Sequence, residues 1–205
     1  MSEFPFRIVG FDLDGTLVDS NRDLAPAINH ALGTIGRAAI PADATRKLIG
    51  GGARRMLERA LELTGGALPD AEFETAFGAL LGHYEEHIAD HTVPYPGCLD
   101  TLDALLARGC KLAVITNKIE VYSRKLLDAL GMTSRFAAIL GGDTLGPGRA
   151  KPGPSFIFRA SGRHGRGPTW AASTRRSPRW FRPHRSSRLF HVASFGPNSS
   201  LRRPR

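Results

Sequence analysis

Two carboxylates one residue apart, Asp12 and Asp14, follow a short apolar run containing Ile8, Val9 and Phe11, and Gly15 and Thr16 come directly after them. Paired carboxylates in such a place can hold Mg²⁺ through hard oxygen ligands, and one of them can attack phosphorus to give an aspartyl-phosphate. A second apolar run, Lys111 to Asn117 (KLAVITN), ends in a hydroxyl and an amide, Thr116 and Asn117. A third segment, Ala150 to Pro154 (AKPGP), supplies the cation Lys151. The run Ile49 to Arg55 (IGGGARR) adds glycines that let backbone approach a ligand. A helix starting after it would turn free N–H groups toward an anion, with Arg54 and Arg55 adding charge. The same run also reads as an ordinary inter-helix turn.

The elements that must place these groups are legible from periodicity. The apolar runs ending at Asp12 and Thr116 read as buried strands of an open α/β sheet, in which ligands sit outside the carboxyl ends of the strands. From Asn21 onward Leu24, Ile28, Leu32 and Ile35 recur at helical spacing, with Pro26 in the first turn. Further helices are expected near 54–63 and 71–90, the latter with Phe73, Phe77, Leu80, Leu81, Tyr84 and Ile88 on one side. With no strand between them, these helices must pack on each other. The chain then resumes strand and helix in alternation: VPYPG at Val93 to Gly97, a helix at 98–108, the strand KLAVIT, a helix near 121–130 and the strand FAAIL at 136–140. The fold class is therefore α/β, a Rossmann-like parallel sheet with an inserted helical cap. The core is expected at residues 1–16 and 91–158 and the cap at 17–90.

The pattern DxDGTLxDS at Asp12 to Ser20 resembles the first motif of the haloacid-dehalogenase superfamily of phosphatases. Thr116 and Lys151 follow in the order of that superfamily's second and third motifs. The resemblance implies that Asp12 is the nucleophile and a Mg²⁺ ligand, and that Asp14 is the general acid/base and lends its backbone carbonyl to the metal. Thr116 then holds a phosphoryl oxygen and Lys151 neutralises charge on phosphate and nucleophile. Gly15, Thr16, Asn117, Gly51, Gly52 and Arg54 are assigned to substrate on the same basis. TNK at 116–118, GGDTL at 141–145 and the glycine run bring the resemblance nearer to the phosphoglycolate phosphatases. It implies Mg²⁺ as cofactor and a small phosphate ester, first of all 2-phosphoglycolate, as substrate; sugar phosphates and pyrophosphate are the alternatives on the same core. The superfamily's fourth motif, an acidic cluster that completes the metal site, does not appear.

Charge is divided unevenly. Of 28 basic residues, twelve, all arginines, fall in residues 159–205, which contain none of the 19 acidic ones; no Asp or Glu follows Asp143. The net charge of +9 thus belongs to the last segment, and the first 158 residues are mildly acidic. Three readings compete for this segment: a nucleic-acid arm with Trp180 and Phe181 among arginines, a solvated tail, or out-of-frame sequence replacing the last strands of the sheet. The third is favoured, because the segment begins where the fold still needs strands. No apolar run reaches membrane-spanning length and no basic leader precedes one, so a cytoplasmic enzyme without membrane or nucleic-acid partners is expected. Cys98 and Cys110 match no metal or redox spacing. His83 to His87 (HYEEH) satisfies H-x-x-E-H, which leaves a zinc peptidase as an alternative of another class.

Overall fold

The computed structural model describes residues 7–147, 150, 151, 192 and 193. Its centre is a parallel sheet of four strands in the order β5-β4-β1-β6, where β1 is Ile8–Phe11, β4 Lys111–Ile115, β5 Ala138–Leu140 and β6 Val192–Ala193. Val9, Phe11, Leu112 and Val114 are buried, as strands covered on both faces require. Gly10 sits in mid-strand because a Cβ there would come within 2.7 Å of Ile115 Cδ1 on the neighbouring strand. Helices α5 (Cys98–Ala107) and α6 (Glu120–Ala129) alternate with the strands and pack on β4 and β5. β6 lies in the arginine-rich segment and pairs with Gly10 and Phe11; the rest of that segment lies outside the described residues.

Between β1 and α5 the chain leaves the sheet through a two-stranded antiparallel ribbon, β2 (Val18–Asp19) against β3 (Val93–Pro94). The intervening residues form α1 (Asn21–Thr34), α2 (Ala42–Thr45), α3 (Ala53–Thr64) and α4 (Asp70–Glu86), with α1 packed against the other three. Their contact faces are the apolar stripes read from the sequence: Leu24, Ile28 and Leu32; Met56, Leu57, Ala60 and Leu61; Phe73, Leu80 and Tyr84. Because α1 already begins at Asn21, Pro26 falls in its second turn, where it removes one intrahelical bond, rather than in the first turn expected from sequence. Arg37 satisfies the carbonyl end of α3, donating from Nη1 to Leu61 O and Gly66 O at 3.0 and 2.7 Å.

The two connections are stapled by one carboxylate. Asp23, 2% exposed in the first turn of α1, accepts from the backbone N–H groups of His91 and Thr92 and from the Thr92 hydroxyl, at 3.0, 2.8 and 2.6 Å, and pairs with His91 Nδ1 at 3.0 Å. A buried carboxylate with this many donors is satisfied, and it ties the start of the helical segment to its end. No helix among the described residues is long and apolar enough to cross a membrane.

Candidate active site

The carboxyl ends of β1 and β4 deliver the chemistry. β1 ends at Phe11, so Asp12 emerges at the sheet's edge, where its Oδ1 accepts from Leu13 N at 2.8 Å. The chain then turns tightly at Gly15, whose φ of 73° is costly for any residue with a Cβ, and the carbonyl of Leu13 accepts from Thr16, Leu17 and Val18 N–H groups. This turn swings Asp14 back beside Asp12. Ser20, the residue before α1, does not cap the helix; its hydroxyl donates to Asp14 Oδ1 at 2.7 Å and fixes that carboxylate instead.

Each carboxylate has its own lysine. Lys151 Nζ lies 2.8 Å from Asp12 Oδ2 with the two side chains 24% and 39% exposed, an ion pair at the open mouth of the site. Lys118 Nζ lies 3.3 Å from both Asp14 oxygens with exposures of 7% and 17%, a pair in the interior. Burial works against the Lys118 ammonium, but the Asp14 carboxylate and then Tyr84 outweigh it and hold its pKa above the ordinary lysine value. Its Nζ also stands 4.2 Å from the centroid of the Tyr84 ring, a cation–π contact with α4. Burial pushes the Tyr84 phenol up to about 12.

Thr116, 2% exposed at the end of β4, continues the ladder to β5 through its N–H to Leu140 O, and its hydroxyl oxygen accepts from Lys118 N at 3.1 Å. The Asn117 side chain reaches across to the main chain of Lys151, its Nδ2 donating to Lys151 O at 3.1 Å and its Oδ1 accepting from Lys151 N at 2.8 Å. This amide clasp sets the position of the lysine that meets Asp12. The glycine run closes the far side: Gly50, Gly51 and Gly52 have φ of 113°, 82° and 93°, and a Cβ on Gly52 would lie 3.0 Å from Asn117 O. The result is a crevice of about 100 Å³ between sheet edge and helices, lined by Asp12, Asp14, Thr116, Asn117, Lys118 and Lys151 below and by Gly50–Gly52, Leu80 and Tyr84 above.

Of the residues singled out from sequence, Asp12, Asp14, Thr116, Asn117, Lys151, Gly51 and Gly52 meet in this crevice. Three do not line it. Gly15 and Thr16 make the turn that places Asp14. Arg54 is turned away: its guanidinium makes two hydrogen bonds to Glu74, 2.9 and 3.0 Å, and lies 4.9 and 4.7 Å from the ring centroids of Phe73 and Phe77. A partner twenty residues later in sequence has taken the cation that the glycine run seemed to offer an anion. Asn117, expected to donate to substrate, spends both polar atoms of its amide on Lys151. Lys118 and Tyr84 were not singled out. Lys118 adjoins Thr116 and Asn117, and that adjacency is its local signal; Tyr84 sits within HYEEH, on the apolar stripe of α4.

Those histidines pack ring against ring, His83 with His87 at 4.7 Å and with His30 of α1 at 4.8 Å between centroids, and His87 Nδ1 is paired with Asp90 at 2.7 Å. No group of three or more His, Cys, Asp or Glu able to hold a metal occurs among the described residues, the histidines of HYEEH included. The same test bears on Mg²⁺ at Asp12 and Asp14. Asp12 already contacts an ammonium group and no third His, Cys, Asp or Glu is grouped with the two aspartates, so the described residues do not supply the further carboxylate that would complete the site.

The family model for haloacid dehalogenase-like hydrolases matches residues 9–169. The chain belongs to that family. Among curated relatives of this haloacid dehalogenase-like hydrolase, the phosphoglycolate phosphatase of Agrobacterium fabrum is 44% identical over 134 residues, which cover 65% of this chain and 58% of the relative. The phosphoglycolate phosphatase of Aquifex aeolicus is 40% identical over 153 residues, covering 75% and 68%. A crystal structure titled as a predicted phosphoglycolate phosphatase from Haemophilus somnus superposes with a TM-score of 0.73 at 33% identity, covering 78% of this chain and 72% of that one. The family member described here thus spans about 58% of the length of its Agrobacterium relative.

Proposed function

We propose that the site is built to hydrolyse a small phosphate monoester through an aspartyl-phosphate, with 2-phosphoglycolate the first substrate to test. The observation that carries this reading is the Asp12–Lys151 pair at 2.8 Å, beside Asp14 and Thr116 in one small crevice at the carboxyl ends of two parallel strands. An oxygen of Asp12 attacks phosphorus in line, the new O–P bond forming as the bond to the leaving alkoxide breaks. Asp14, held by Ser20 and paired as a carboxylate with Lys118 in this structure, must take up a proton before the step; it gives that proton to the alkoxide and recovers one from the water that attacks the acyl phosphate, which releases inorganic phosphate and frees Asp12. Lys151 and the Thr116 hydroxyl hold the equatorial oxygens over which charge is spread. Asn117 holds Lys151 in place for this task. The names of the relatives and the small volume of the crevice support a short ester over a sugar phosphate.

Mg²⁺ is implied by the family resemblance and would meet Asp12 and Asp14, but the described residues do not complete its site; no step above runs through it. The 205-residue chain is accordingly proposed to bind phosphate esters and to turn them over poorly. The test is acid-quenched incubation with phosphorus-labelled 2-phosphoglycolate and Mg²⁺, using a chimera in which residues 159–205 are replaced by the corresponding C-terminal segment of the Aquifex relative. Label is expected on Asp12 and none on the Asp12→Asn chimera. Undiminished labelling of the Asp12→Asn chimera overturns the assignment.

A further inference from the structure

Resting on that reading, we propose that Lys118 and the hydroxyl of Tyr84 together recognise a second anionic group, a carboxylate, at the non-reacting end of the ester. If Asp12, Thr116 and Lys151 take the phosphoryl group, the rest of a bound ester extends toward the helical side of the crevice. The cations lining the crevice, among the described residues, are Lys151 and Lys118, and Lys118 is the one in contact with that side, through the Tyr84 ring at 4.2 Å. Its contacts to Asp14 are 3.3 Å each, longer than the roughly 2.7–2.9 Å of a strong charge-assisted bond, so the ammonium keeps donor capacity for another acceptor.

Tyr84 supplies the second, independent observation. The residue is 2% exposed, lines the crevice, and its buried hydroxyl makes no hydrogen bond of full geometry, only an electrostatic contact with the Lys118 ammonium. A carboxylate can accept from this hydroxyl and from the ammonium together. With its pKa pushed up to about 12, the phenol remains a donor at neutral pH. The arginines that the sequence offered for this task are committed elsewhere, Arg54 to Glu74 and Arg55 to Glu58. Size fits as well: about 100 Å³ is far below the roughly 300–1,000 Å³ of pockets for drug-sized ligands, and admits a phosphate joined to a carboxylate by very few carbons.

Binding measured by calorimetry in EDTA, where turnover does not interfere, separates the two ends of the ligand. The probes are 2-phosphoglycolate and ethyl phosphate, which lacks only the carboxylate. Wild-type chain is expected to favour 2-phosphoglycolate by about tenfold or more, as a charge-assisted contact allows. Lys118→Met should abolish that preference, read as the ratio of the two affinities because loss of the Asp14 counter-ion acts on both probes alike, and Lys118→Arg should restore part of it. Tyr84→Phe, which keeps the ring and its packing, should lower 2-phosphoglycolate affinity about threefold and leave ethyl phosphate unchanged. Equal weakening of both probes by Lys118→Met and Tyr84→Phe, or no preference in the wild type, overturns the proposal while leaving the phosphatase reading standing. Failure of the wild type to bind either probe overturns both.

Discussion

Asn117 lines the candidate crevice, yet its amide contacts the main chain of Lys151. Its amide reads the main chain of Lys151 as a strand would, with one donor and one acceptor, and so converts a loop lysine into a fixed one. Asn117→Ala is expected to lower affinity for inorganic phosphate about tenfold, since the cation is no longer held at Asp12; calorimetry checks it, and Asn117→Asp should not rescue because a carboxylate cannot donate to Lys151 O. In the active chimera, Asp12→Asn is expected to lower turnover of 2-phosphoglycolate by at least about 1,000-fold, because an amide is no nucleophile. Single-turnover kinetics reads this. At this scale the sequence was informative about identity and order, since Asp12, Asp14, Thr116 and Lys151 each end a strand or follow a turn that local pattern reveals. Direction was not legible. Arg54 and Asn117 found partners twenty and thirty-four residues away, and no local pattern encodes such a pairing.

Among the elements, the long ones were readable because an apolar stripe repeats several times along them, as in α1, α3 and α4. The ribbon of β2 and β3 was not, since two residues per strand show no alternation, and the four residues of α2 complete barely one turn. The loop before α3 carries the sharpest packing demand: Gly52→Val places a side chain on Asn117 O at a φ of 93° and is expected to destabilise the fold by about 1–3 kcal/mol and to weaken phosphate binding with it. Denaturant melts and calorimetry measure the two effects. The facing histidines of α1 and α4 give the helical layer a pH dependence of definite sign. Desolvation, then the neighbouring His30 and His87, lower the pKa of His83 below its ordinary 6.5, against smaller opposing effects of Glu86 and Asp90. The unfolded chain therefore binds the proton first as pH falls through about 6.5, and stability declines on the acid side. His83→Gln should melt with a smaller drop between pH 7 and pH 5 than the wild type; an equal or larger drop would show that the cluster is not the cause.

At the scale of the whole molecule, composition and structure meet in the metal. The sequence supplies no acid after Asp143, and no third carboxylate is grouped with Asp12 and Asp14 among the described residues. Added Mg²⁺ at millimolar concentration is expected to shift the melting temperature of the 205-residue chain by less than about 1 °C, and of the chimera by several degrees, through preferential binding to the folded state. The architecture of sheet and helices was open to sequence reading because α/β alternation follows from periodicity. The place of the arginine-rich segment was not; of it the structure describes Val192–Ala193 against β1, a pairing that no composition argument anticipates.

The ribbon of β2 and β3 has a topological consequence. With Val18 opposite Pro94 and Asp19 opposite Val93, the seventy-odd residues between them leave and return at one point, so their excision would leave two adjacent strand ends rather than a gap. The helical layer is then a cassette: a two-residue Asn-Gly link could close β2 and β3 into a hairpin with little loss of loop entropy. Different cassettes on one socket would keep the carboxylates and lysines at the sheet's carboxyl end and change only what reaches them.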